Sequence, residues 1–211
     1  MDNLEFQGFL TRIPGIPAAA VPALIRYREL VLAENEVQNL TRLVSPRDFA
    51  ESHVRDAWEA VQTGWLPGTT LDLGAGLGVP GIPAAILAPE SRWILAESEQ
   101  RKADFLKRAV EILGLGDRVE VFAGRAEDFL KDRRVDTVIA RAVGPVSRLW
   151  AWIGERSTWN KMVLLKSRGW DEEWAAPESA RARKKLRLAA KHEYEVGEDH
   201  KYRVMVRLER I

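Results

Sequence analysis

The sequence predicts an α/β protein, Rossmann-like, with a mostly parallel sheet, a helical N-terminal cap and a C-terminal antiparallel hairpin. Three observations predict it. From Thr69 to Ser167 five apolar, β-rich runs recur, their ends 18 to 27 residues apart, which is the rhythm of βα units. Ahead of Thr69 the patterning is helical. Beyond Leu186 two long β-rich runs stand either side of a short turn.

The elements follow in order. Residues 17–39 (PAAAVPALIRYRELVLAENEVQN) and 45–64 (SPRDFAESHVRDAWEAVQTG) are the two N-terminal helix candidates. The second opens well, with Ser45 as cap, Pro46 in the first turn and Asp48 three residues on. The strands are TTLDLG (69–74), RWILAE (92–97), RVEVFAG (118–124), VDTVIARA (135–142) and KMVLLKS (161–167). Between the second and third, Ala103, Phe105, Leu106, Ala109, Val110 and Leu113 follow helical spacing until Gly114 stops them. Residues 186–196 and 201–211, joined by GEDH, form the hairpin. No linker interrupts the chain, so a cap (1–66) packs on a core (67–211) as one unit.

Composition narrows the function. The chain has no cysteine, which removes disulfides, thiolate metal sites and a cysteine nucleophile and fits a reducing cytosol. Its three histidines are not at ligand spacing, so no metal site is expected. No apolar run approaches the ~20 residues that span a bilayer, and the N-terminus lacks an export signal. A cytoplasmic protein with no membrane contact is expected. Net charge is only +1, but residues 179–211 hold ten basic and five acidic side chains. Five of the seven residues in Arg181–Arg187 (RARKKLR) are basic, a candidate contact for nucleic acid.

Between the first strand and the following helix lies LDLGAGLGVPGIP (71–83), with four glycines in eight positions. Such a loop lets the backbone approach a ligand, beside the free N–H groups of a helix N-terminus. Read from Gly76 it matches the dinucleotide pattern G-x-G-x-x-G; read from Gly74 it matches the G-x-G-x-G of S-adenosylmethionine enzymes. Asp72 and Leu73 end the strand, so Gly74 makes the turn and the dinucleotide frame begins two residues late. Pro80 and Pro83 suit a helix start but offer no N–H to a pyrophosphate. Frame and prolines favour the methyl donor. Glu97, ending the second strand, is placed to accept bonds from ribose hydroxyls of either cofactor.

The loop with its Pro-Gly-Ile-Pro exit resembles the bacterial small-subunit rRNA guanine-N(7) methyltransferases, also called glucose-inhibited division protein B. Other segments resemble that family in order: NLTRL (39–43), His53 with Asp56, AESEQRKADFL (96–106), GRAEDF (124–129), VIARAV (138–143), LLKS (164–167) and GEDH (197–200). The resemblance implies a class I S-adenosylmethionine-dependent methyltransferase acting on nitrogen 7 of a guanosine in 16S rRNA of the small ribosomal subunit, as a monomer, leaving S-adenosylhomocysteine. It implies Gly74 and Val79 contacting the methionine part of the donor and Ala126 and Glu127 flanking its adenine. Arg141 then lines the reaction pocket as the catalytic candidate. With Asp72, Gly76, Gly78 and Glu97 these make up the expected donor site. Three positions depart from the family pattern: Glu97 for aspartate, Ser167 for glycine and Ala57 for serine.

Nitrogen 7 has a free lone pair, so its methylation needs orientation rather than a general base. Arg141 is expected to orient the guanine or to hold the donor's carboxylate; the other reading is an ion pair at the strand end. His53 is read as a structural partner of Asp56. Trp150, Trp152 and Trp159 are core by default but near enough to the pocket side to stack on a base. A small-molecule methyltransferase and a non-catalytic RNA-binding scaffold are the rival readings. The basic segment counts against the first and the intact loop against the second.

Overall fold

Along each strand apolar residues alternate in pointing to the two faces, so the sheet is covered on both sides. The computed structural model describes residues 2–197 and 199–211. Strands β1 (Thr69–Leu73), β2 (Arg92–Glu97), β3 (Val119–Ala123), β4 (Thr137–Arg141) and β5 (Lys161–Lys166) are parallel. Strand β7 (Lys201–Arg210) runs antiparallel to β5, and β6 (Leu186–Val196) antiparallel to β7. The order across the sheet is β3-β2-β1-β4-β5-β7-β6. Chain progression reverses between β1 and β4, and that reversal opens a crevice at the carboxyl ends of the strands. The GEDH turn includes Glu198, which lies outside the described residues.

One face carries Leu71, Leu73, Val138, Ala140, Met162 and Leu164 into a cluster with Phe129 and Leu149. The other carries Leu95, Ile139, Val163 and Leu165 into a cluster shared with the cap residues Phe6, Leu24 and Val54. The period of two places Asp72, Glu97 and Arg141 on this second, cap-facing side. Among the described residues, the helices that connect or flank the strands are α5 (Gly81–Leu87), α6 (Gln100–Ile112), α7 (Ala126–Asp132), α8 (Val146–Ile153), α9 (Trp170–Ala175) and α10 (Ala180–Arg183).

The cap comprises α1 (Asp2–Leu10), α2 (Val21–Gln38), α3 (Pro46–Phe49) and α4 (Arg55–Gln62), with a five-residue π turn, Ala50–Val54, joining the last two. The predicted 45–64 helix is therefore interrupted by a wider turn that carries His53. Ser45 caps it as expected, accepting the Asp48 N–H at 3.0 Å and donating to the Asp48 carboxylate at 2.8 Å. Helix α1 was not legible in the sequence: only Phe6 and Leu10 of its nine residues are fully buried, too few to set a period. Tyr27 on α2 donates to the Leu77 carbonyl at 2.9 Å, fastening the cap to the glycine loop.

Candidate active site

Gly74 follows β1 and its N–H donates to the Ala96 carbonyl at 2.9 Å, so the turn starts there. Gly74, Gly76 and Gly78 all have positive φ (71°, 59° and 101°), which other residues adopt only under strain. A Cβ on Gly76 would meet nothing closer than the Gly74 carbonyl at 3.9 Å, so the space above it is open. Gly81 serves packing instead: a Cβ there would lie 2.3 Å from a Leu95 methyl. Val79 is buried behind the loop.

Two buried carboxylates brace this turn. Asp72 accepts the Gly81 N–H at 2.9 Å through Oδ2, while its Oδ1 is buried without a partner. Burial pushes its carboxyl up to about 7, although the Gly81 bond and the nearby Arg141 pull the other way. Glu97 accepts the Gly76 N–H at 2.9 Å and the Glu99 N–H at 2.8 Å, one on each oxygen. A carboxylate has about four lone-pair sites, so both oxygens keep capacity for hydroxyl donors.

A cleft of about 110 Å³ opens beside Gly74, bordered by Ala96, Ala126, Glu127, Val143 and Trp152. A larger cavity of about 360 Å³ lies beyond β4 and β5, bordered by Arg141, Leu149, Leu164, Lys166, Ser167 and Arg203. Val143 borders both, and its side chain packs over Gly74, so it stands between the two spaces beside the glycine turn.

Arg141 is fixed by the cap. Its Nε lies 3.2 Å from Asp56 Oδ2, and a terminal nitrogen donates to His53 Nδ1 at 3.0 Å. Guanidinium nitrogens only donate, so Nδ1 carries the lone pair and Nε2 the proton, which points to Thr41 Oγ at 3.3 Å. His53 is neutral: burial, with Arg141 alongside, lowers it to about 3. Burial raises Asp56, and Arg141 pulls it back. Asp56 also accepts the Tyr194 hydroxyl at 2.8 Å and faces Arg203 at 4.0 Å. The expected link between His53 and Asp56 thus runs through Arg141. The strand-end ion pair also exists, while the Arg141 side chain stays 17% exposed and borders the cavity.

Two expectations change. Trp150 and Trp159 are core residues, packed edge to face at 6.3 Å with Trp159 under the Arg210 guanidinium, so neither reaches a base. Trp152 borders the cleft beside Gly74. The basic segment 181–187 is at the far edge: Leu186 pairs with Arg210, and Glu209 with Lys161 at the start of β5. That places it about a strand length, ~17 Å, from the carboxyl ends. Arg183 is spent on the Trp174 and Ala176 carbonyls, and Arg187 pairs with Glu209. The network Asp56–Tyr194–Arg203 was missed because its members are up to 147 residues apart in sequence (56 to 203).

This arrangement has relatives. A family profile described as rRNA small subunit methyltransferase G matches residues 20–200. The chain belongs to that family. It is 38% identical over 181 residues to the Ribosomal RNA small subunit methyltransferase G of Solibacter usitatus, covering 83% of this chain and 84% of that one. Against the protein of the same name from Rhodopirellula baltica the identity is 36% over 152 residues, 72% of this chain and 65% of that one. The fold is also that of M. capricolum TrmK, solved with S-adenosyl-homocysteine (TM-score 0.53, 13% identity, 72% of this chain and 66% of that one). As a member of the methyltransferase G family, the protein is an enzyme that uses S-adenosylmethionine. Among the described residues no helix is long and apolar enough to cross a membrane.

Proposed function

We propose that this methyltransferase transfers a methyl group from S-adenosylmethionine to nitrogen 7 of a guanosine in the 16S rRNA of the small ribosomal subunit. The observation that carries the reading is that two spaces lie on either side of Val143. The narrow cleft at the glycine turn suits the donor, and the wider cationic cavity suits a base turned out of its stack. The residues fit the donor. Open space stands over Gly76, Ala126 and Glu127 border the cleft beside Gly74, and Glu97 keeps lone pairs for ribose hydroxyls. Asp72 Oδ1, buried and unpartnered, suits a positively charged ligand. Gly74, Gly78 and Val79 shape the loop from behind. The donor supplies an electrophilic methyl on a sulfonium.

The protein's task is then orientation and desolvation. Nitrogen 7 attacks through its own lone pair, so no side chain has to remove a proton first, and neutral His53 is not asked to be an acid. Arg141 has donors left over from Asp56 and His53 and offers them to the guanine O6 edge. Asp56 offsets its charge, so the guanidinium orients the base without strongly opposing a cationic methyl group. On this reading the protein works as a monomer in the cytoplasm, on ribosomal subunits.

The donor assignment predicts a pH dependence. A cation beside Asp72 favours its carboxylate, so below about pH 7 binding must first displace a proton. Calorimetry should find donor affinity constant above pH 7 and weakening by up to tenfold per unit below it, with proton release to the buffer. Asp72→Asn should flatten that profile. NAD binding as tightly as the donor, or an affinity unchanged from pH 5.5 to 8, would contradict the assignment.

A further inference from the structure

With Arg181–Arg187 at the far edge of the sheet, a different set of cations stands where RNA must enter. Strand β5 runs out at Lys166 into exposed Ser167 and Arg168, and β7 enters beside it, since Lys166 pairs with Val204. Arg168, Lys201, Tyr202 and Arg203 border a shallow groove. It shares Ser167 and Arg203 with the substrate cavity, so the two adjoin.

The chemistry of this groove is specific. The Arg168 guanidinium is 6.0 Å from the Tyr202 ring centroid and, among the described residues, makes no ion pair. Lys201 is exposed, and its contact with Asp199 is long at 3.7 Å; an exposed pair of that kind contributes little and yields readily to a phosphate. Tyr202 is only half-buried: it packs against the core cluster around Leu164 and keeps part of its ring beside these cations. Cations tracking a groove with an aromatic platform are the pattern that holds single-stranded nucleic acid. Arg141 on β4 and Arg203 on β7 stand two strands apart and both reach Asp56, so the cation that borders the groove also faces the carboxylate that holds Arg141.

We infer that this groove holds the single-stranded RNA segment flanking the target nucleotide. Arg168 and Lys201 neutralise its phosphates and Tyr202 supports one of its bases. The inference rests on the reading that small-subunit rRNA is the substrate.

Two double variants test it, Arg168→Ala with Lys201→Ala in the groove and Lys184→Ala with Lys185→Ala at the far edge. Binding and methylation of a small-subunit rRNA transcript are followed across a salt series, with S-adenosylhomocysteine titrated to verify folding. The groove variant should show a higher KM for RNA and unchanged kcat at saturating RNA. Its log affinity against log salt should be shallower by ~1.4, at ~0.7 per phosphate. The far-edge variant should match the wild type. A groove variant with wild-type affinity and slope, or a far-edge variant carrying the loss, would overturn the inference. Failure of the wild type itself to methylate the transcript would instead sink the substrate reading.

Discussion

Gly76→Val is expected to fold and to lose S-adenosylmethionine. The added Cβ meets no protein atom closer than 3.9 Å, so the fold resists it only through the backbone, held at φ +59°. That conformation costs a side-chain-bearing residue about 1–2 kcal/mol, a few degrees of melting temperature in a domain of this size. The branched side chain instead occupies the open space assigned to the donor, and affinity should fall at least a hundredfold. Gly78→Val is the contrasting case. Its Cβ would stand 2.6 Å from an Ile82 methyl and 3.1 Å from Leu106, so it should disrupt the core with or without ligand. Calorimetry on a folded Gly76→Val protein that still binds the donor within threefold of wild type would remove the donor from this loop.

Arg141→Lys should bind the donor normally, stay folded and methylate ten- to a hundredfold more slowly. The guanidinium addresses Asp56 and His53 at once and still presents donors to the cavity. Lysine keeps the charge that Asp56 needs, but a single ammonium cannot reproduce the planar fork. Losing a bidentate contact to a base is worth ~1–3 kcal/mol, which sets the expected range. Asp56→Ala is predicted to act differently. It leaves Arg141 and Arg203 facing each other without the carboxylate and should destabilise the fold by about 3–5 kcal/mol. If Arg141→Lys lowers the melting temperature while its folded fraction transfers methyl at full rate, the arginine is only a strut between cap and sheet.

The βα rhythm was legible because every strand carries a strong apolar period and each connection is short. The glycine turn was legible because its residues are consecutive: Asp72, Gly74, Gly76 and Gly78 are set by one stretch of chain. Glu97 was legible as the last residue of a strand. The surroundings of Arg141 were only half visible. Its position on the Ile139 face follows from the strand period, and His53 with Asp56 at helical spacing is a recognisable pair. That these meet across the cap depends on how α4 sits on the sheet, which no local pattern encodes. The position of the basic segment was hidden for the same reason. Charge density along the chain says nothing about which end of the sheet a hairpin places it on. The groove cations Arg168, Lys201 and Arg203 gave no signal because they come from two separate segments.

The product of the reaction is the most direct test of the proposed activity. Small ribosomal subunits from cells lacking this protein, incubated with it and methyl-labelled S-adenosylmethionine, can be digested and read by mass spectrometry. Label is expected in 7-methylguanosine at a single position of the small-subunit rRNA, absent when the protein is omitted. Label on another atom or base, or no label in rRNA from a protein that binds the donor, would contradict it.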